Sequence, residues 1–549
     1  MTVTGTTILI LSTFNLQTMK EVKEIYRMGV VTTTQVTVVL YDSMQTDFVG
    51  GGLAIYNDVL VVTSYTKMVE ATIFIMGIAY TYVTQEYVYN IKTNSNNAVT
   101  KGDSGSTFIS TRKPVETIVT VLTNITGVIT FMQWNNFIVI FITLELQSYT
   151  TYTITTFFNK SYKSTKSGTT YFTIGSVGSI VVTTGFVTIY AETGTTNTSD
   201  FFAMYNGFNG ATPATFDGNT ITTSYVFITT GTFTKMGTAP FHNWTINIYA
   251  NTPTVITTWI SIVGKIGITT VIYTTISNSA FTYNSTYAST VASSNVAIYN
   301  IPTTTAFISA TSIMFGVTGG TGQFTIKRII GYSGTVNSGY FTFIITSNNN
   351  STTSTYTFNI YQYGTTHVVW FTTITVNGTY YSNAKTFSKT YHNANPRHST
   401  NTPIEFVKDT YGFTFANPYT GFCYIVVISS TIGIPPTTGF YAKFYVTTTG
   451  IQSSYTFTAI TVTTSSAVTA YYYIFIVKNI IVTDTSSYSG IISAWRSHAK
   501  GTVSTSITPT TSIVISVIIM VITTTGVVGT DIANNGTHIV ESYYINKHV

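Results

Sequence analysis

Only 8% of the 549 residues are Asp, Glu, Lys or Arg, against about 25% in an ordinary soluble domain. Threonine, serine, asparagine and tyrosine stand where charge would normally be. Hydroxyls, amides and phenols stay hydrated whatever the pH, whereas an ionised surface loses its carboxylate charge in strong acid. This feature predicts a protein whose surface meets harsh solvent, at the outside of a cell or particle. A disordered Ser/Thr stalk is excluded, because the chain is 15% aromatic and dense in Ile and Val.

Ile, Val, Tyr, Phe and Thr are the residues that fit a pleated, half-buried sheet, and the best helix formers (Leu, Ala, Glu, Lys) are scarce. The expectation is an all-β protein. Tyr356, Phe358 and Ile360 alternate with Thr357 and Asn359, residues 339–346 and 355–363 flank the polar stretch 347–354 and read as two strands joined by a loop, and Phe440, Ala442, Phe444 and Val446 alternate in the same way. Strands at such spacing indicate antiparallel β-sandwiches or jelly rolls. The run Ile513–Ile522 has a strongly apolar core of ten residues, nearly all β-branched. That is short of the roughly 20 a membrane helix requires, so it reads as buried strands.

The organisation follows a compositional break. All nine leucines lie between Leu9 and Leu146. Residues 1–147 are therefore expected to form an N-terminal β-barrel-like domain with one helix, residues 18–28. Thr18 with Glu21 makes a capping box for it, and Gly29 serves as its stop. Three β-sandwiches are expected to follow over 148–270, 271–400 and 401–549, with the proline-punctuated stretch 392–403 as a linker.

Net charge is +6, and no basic run exceeds Arg112-Lys113 or Lys327-Arg328. This argues against a nucleic-acid partner, which calls for a concentrated basic stripe. Cys423 is the only cysteine, so no intrachain disulfide and no Cys-based zinc site forms. The N-terminus has neither a basic stretch nor an apolar segment of signal-peptide length, so standard secretion is not expected. His242, His392, His398, His498, His538 and His548 show no metal-ligand spacing. Glu405 and Asp409, the one close acid pair after residue 147, read as surface residues. No metal and no cofactor is expected.

Gly102-Asp103-Ser104-Gly105 copies the nucleophile motif of trypsin-like serine proteases, and Gly50–Lys67 resembles the stretch of that family that leads to its histidine. The resemblance covers at most residues 1–147 and implies a degenerate protease-like domain. A serine nucleophile requires a base. Tyr65 or Thr66 stands where the histidine should be, and the first histidine is His242. Asp103 and Ser104 are thus vestigial candidates, with Lys67 as the alternative base, and no enzyme is expected.

Over residues 148–549 the Thr/Tyr/Ile/Asn-rich, charge-poor texture resembles turret, spike and vertex proteins of icosahedral viruses infecting hyperthermoacidophilic archaea. That resemblance implies a structural virion protein at the particle surface. Its partners would be copies of itself, other capsid proteins and host surface glycans, with membrane contact not favoured. The alternatives are a cell-surface filament or adhesin subunit assembling by strand exchange, and a secreted serine hydrolase using Ser104.

Overall fold

The computed structural model describes residues 19–44, 53–98, 112–157, 162–201, 218–278, 301–347, 355–356, 359–368, 370, 406–410, 414, 418–482, 515–516, 519 and 522. In chain order α1 is Met19–Met44 and a hairpin follows, β1 Leu53–Ile55 paired antiparallel with β2 Leu60–Val62. Then come α2 Ser64–Ala98, α3 Arg112–Gln133, α4 Phe137–Thr156 and α5 Tyr162–Thr193. Next are α6 Gly218–Met236, α7 Asn243–Asn251, α8 Thr254–Asn278, α9 Ile301–Thr321 and α10 Ile326–Ser347. Residues 359–368 are helical, and the order closes with α11 Pro418–Ile432, α12 Thr438–Gln452 and α13 Thr456–Ile481. The all-β expectation is overturned. Among the described residues the hairpin is the one sheet.

The reason lies in where these helices sit. α4, α5, α8 and α13 are long and apolar enough to cross a membrane. In hydrocarbon every backbone N–H and C=O must be paired inside its own segment, and a helix achieves this whatever its side chains prefer in water. Threonine fits such a helix by turning its hydroxyl back onto the preceding turn. Thr143 donates to Val139 O, Thr153 to Thr150 O, Thr188 to Thr184 O and Thr463 to Ile460 O. Its methyl is then left to face lipid or a neighbouring helix. Residues exposed on the outer faces are apolar, Ile142, Ile180, Phe307, Phe457 and Ile474 among them, as a lipid-facing surface demands.

The segments predicted as strands are helical. Residues 339–346 belong to α10, 359–363 are helical, and 440–446 belong to α12. In α10 the run from Ser338 to Ser347 is buried on every side, so the 3.6-residue polarity pattern that identifies a helix is erased. Ile515, Ser516, Ile519 and Ile522 are also helical, and Ile515 and Ile522 pack with Tyr424, Val427, Ile476 and Ile480. α1 runs through Gly29, which lies against Ile118 of α3. Residue 147 falls inside α4. The stretch 392–403, with His392 and His398, lies outside the described residues.

α8 runs through the middle of the bundle. Trp259, Ile260, Val263 and Ile266 join one apolar core with Ile73 and Met76 of α2, Ile125 and Val128 of α3, and Phe341 and Ile344 of α10. Around it α5 packs on α6 and α9 on α10 at glycine-lined contacts. A Cβ on Gly185 would lie 2.7 Å from Ser224 O, and one on Gly231 would lie 2.8 Å from Gly178 O.

The two helix breaks are built alike. α6 ends in Gly237 (φ +70°) and α11 in Gly433 (φ +91°), conformations that favour glycine. Thr238 N bonds Phe233 O at 3.2 Å and Ile434 N bonds Ser429 O at 3.1 Å, the same six-to-one closure at both ends. Three residues after each glycine comes a proline, Pro240 and Pro436, and both X–Pro bonds are cis. A new helix then starts, α7 after the first break and α12 after the second.

The close approach of α5 and α6 predicts that Gly185→Ala is destabilising by about 1–3 kcal/mol, whereas Gly322→Ala, with open space around the new methyl, is nearly neutral. Thermal unfolding of the detergent-purified variants checks this, with a clearly lower Tm expected for Gly185→Ala alone.

Candidate functional site

A charge in the centre of a bilayer costs roughly 3 kcal/mol or more, so each ionisable residue buried in this bundle requires a partner. Glu145 lies on α4, Lys235 in the last turn of α6, Lys265 in mid-α8 and Lys327 at the start of α10. Lys235 Nζ donates to Glu145 Oε1 at 2.7 Å, the two side chains being 5% and 14% exposed. Ser179 Oγ of α5 donates to the same carboxylate oxygen. At the end of a helix a lysine also meets the negative end of the helix dipole, so the Gly237 break adds to what holds Lys235.

The other lysines are held by backbone carbonyls. Lys265 Nζ donates to Gly334 O at 2.8 Å, with the rings of Tyr249 and Tyr363 centred 6.0 and 5.9 Å away, within cation–π range. Lys327 Nζ donates at 2.6 Å to the carbonyl of Thr252, the turn residue between α7 and α8. Lys443 of α12 reaches back over the second break to Thr431 O at 2.9 Å and Ile432 O at 2.8 Å. At the first break Trp244 Nε1 covers Thr234 O at 2.9 Å. Helix ends carry carbonyls without a helical partner, and at the second break those carbonyls hold the lysine.

His367 stands beside Lys265. Its Nδ1 is 2.9 Å from Tyr363 O, its ring centre lies 4.1 Å from that of Tyr363, and the Tyr363 hydroxyl donates to Ser261 O of α8 at 2.8 Å. A second buried group lies at the α2 end of the bundle, where Gln133 donates to Glu70 Oε1 and Lys67 to Ser43 O, both at 2.7 Å.

The sequence candidates fare differently. Asp103 and Ser104 lie outside the described residues. The protease-like stretch does form a hairpin at Leu53–Val62, but Ser64 then opens a helix of 35 residues. Tyr65 and Thr66 belong to its first turn. Thr66 Oγ1 accepts from Thr63 N, a capping contact, and Tyr65 packs against Tyr273 and Tyr356. Lys67 is committed to Ser43 O. Among the described residues no three His, Cys, Asp or Glu side chains group as metal ligands. His242 sits in the first break.

None of Glu145, Lys265 and Lys443 was singled out from the sequence, although isolation marks all three. Glu145 is the only charged residue between Glu116 and Lys160, Lys265 the only one between Lys235 and Lys327, and Lys443 the only one between Asp409 and Lys478. A lone charge in a long apolar tract is the mark of a functional residue in a membrane helix.

Residues 135–469, more than half of the chain, match the family model described as NADH:quinone oxidoreductase/Mrp antiporter, TM. The chain belongs to that family. It is similar to NADH-ubiquinone oxidoreductase chain 2 of Rhizopus oryzae, 26% identical over 443 residues that cover 80% of this chain and 77% of that one. NADH-quinone oxidoreductase subunit N of Pelagibacter ubique is 26% identical over 367 residues, 66% of this chain and 68% of the relative. The fold is that of a chain of respiratory complex I from Thermus thermophilus with bound Aureothin, at TM-score 0.67, 14% identity and 97% coverage of both chains.

These findings overturn the virion reading together with its capsid and glycan partners, its place on a particle surface and its disfavouring of membrane contact. The filament and serine hydrolase alternatives fall with it. The protein is an integral membrane protein, and the proteins it resembles are membrane subunits.

Removing one partner of a buried pair leaves the other charge uncompensated, at about 3 kcal/mol. Glu145→Gln and Lys235→Met are therefore each expected to lower stability more than the double variant does. A double-mutant cycle on thermal unfolding in detergent measures that coupling.

Proposed function

We propose that this chain is an antiporter-like, proton-translocating membrane subunit of an NADH:quinone oxidoreductase assembly. The observation that carries this reading is the buried Glu145–Lys235 pair at the end of a broken helix, with Lys265, His367, Lys327 and Lys443 on further elements of the same bundle. A proton passing from Lys235 to Glu145 converts an ion pair into a neutral pair. In a low-dielectric interior both forms are accessible only because the partners touch.

Broken helices supply what such a site requires, free carbonyls at membrane depth that hold a cation in place. A change at one end of the assembly that draws Glu145 and Lys235 apart would favour release of the Lys235 proton, which is how redox chemistry in a partner could drive transport. On this reading the chain itself makes and breaks no covalent bond in a substrate. Its partners are the other membrane subunits of the assembly, to which its outward apolar faces would dock, and the names of its relatives support that partnership.

The test is proton uptake into proteoliposomes carrying the purified native assembly, followed with a pH-sensitive dye while quinone is reduced. Lys235→Met and Lys265→Met, at unchanged assembly, are each expected to slow translocation at least about tenfold. Native rates in Lys235→Met would overturn the proposal.

A further inference from the structure

Beside the Glu145–Lys235 pair lies a cavity of about 30 Å³ bounded by α4, α5, α6, α7 and α8. Lys235 is on one wall, Gln147, Ser148 and Thr151 of α4 are on another, and Gly264 of α8, the residue before Lys265, closes it. A water requires about 10–15 Å³ and two or more polar partners, and the space is sufficient for one.

The partners are also present. Gln147 is 4% exposed, yet among the described residues its side-chain oxygen Oε1 has no hydrogen-bond donor. An amide oxygen left so in the interior carries a penalty of about 1–3 kcal/mol. Of the other polar groups of the wall, Ser148 Oγ donates to Glu145 O, Thr151 Oγ1 to Ser148 O, Thr234 Oγ1 to Gly231 O and Trp244 Nε1 to Thr234 O, and the hydroxyls of Tyr152 and Tyr171 are hydrogen-bonded with Ser148 and Thr151. Lys235 has three N–H bonds, one of them directed at Glu145. Lys235 and Gln147 thus line the same small space. Gln147 also rests against α8, its amide nitrogen 3.5 Å from where a Cβ on Gly264 would stand.

We propose that Gln147 is a positioning residue for proton transfer within the Glu145–Lys235 pair. It seats one water that accepts a hydrogen bond from Lys235 Nζ and donates one to Gln147 Oε1. When the pair opens, the ammonium of Lys235 gives its proton to this water as the water gives one of its own to the Glu145 carboxylate. The water is regenerated, and Lys235 is left as the neutral amine and Glu145 as the neutral acid. The inference rests on the proton-translocating reading above and adds to it the group that holds the relaying water.

The experiment compares Gln147→Met, which keeps the length and loses the acceptor, with Gln147→Glu, which keeps an acceptor oxygen. Both are made in the native assembly in proteoliposomes, with Lys235→Met as reference. Gln147→Met is expected to slow proton translocation about tenfold at unchanged assembly, and Gln147→Glu to restore most of the rate. Native translocation in Gln147→Met, or an equal loss in both variants, overturns the role of Gln147. Native translocation in Lys235→Met overturns the proton-translocating reading itself, so the two failures are distinguishable. Should Gln147→Met not assemble, a high-resolution map of the native assembly decides. Density within hydrogen-bond distance of both Gln147 Oε1 and Lys235 Nζ supports the proposal, and a dry cavity overturns it.

Discussion

The structure depends on one constraint, that no backbone or charged group inside a membrane can be left without a partner. Long helices meet the backbone half of it. Among the described residues, exceptions fall at the breaks after Gly237 and Gly433, where carbonyls are released from their helices. The protein covers those carbonyls with the groups that themselves most require partners or enclosure, an indole at the first break (Trp244) and an ammonium at the second (Lys443). Lys327 does the same for the turn between α7 and α8. Each buried lysine that ends on a helix-terminal carbonyl meets two unmet demands with one contact, which is why the charges and the breaks occur together.

The same constraint explains the threonines. A β-branched, hydroxylated residue favours a strand where water competes for the backbone. In hydrocarbon the helix is fixed by backbone pairing, and the hydroxyl returns to the carbonyl three or four residues back, as in Thr257 and Thr258 with Thr254 O of the fully enclosed α8. Scarce charge admits two explanations, a surface that avoids ionisation or a surface that meets lipid. The apolar outer faces of α4, α5 and α13 decide for lipid.

Most of the fold was therefore illegible from propensity, for physical reasons. From Ser338 to Ser347 α10 is enclosed on all sides and shows no helical stripe. The protease-like patch at residues 50–67 did contain a hairpin, but a hairpin followed by helix α2 is not a barrel. The site left a signal in the sequence that the attention to Asp103 and Ser104 passed over. Glu145, Lys265 and Lys443 each stand alone in long uncharged tracts, and that isolation depends on no assumption about secondary structure. What the sequence does not reveal is pairing. Nothing in the order of residues shows that Lys235 meets Glu145, ninety positions away, because that contact is made by α5 packing on both α4 and α6 through glycines.

Close packing is what makes the arrangement able to respond. Gly178 and Gly185 of α5 and Gly231 of α6 let two backbones approach until a single methyl group would collide, so a displacement of either helix is carried directly into the turn that holds Lys235. Ser179, next to Gly178 on α5, donates to the Glu145 carboxylate, and Thr234 and Lys235 line the space where an added Cβ of Gly178 would fall. Packing, hydrogen bonding and charge thus converge on one turn of helix. A sliding of α5 against α6 would alter the balance between the ion pair and its neutral form, which is the mechanical link that the proposed proton-translocating role requires.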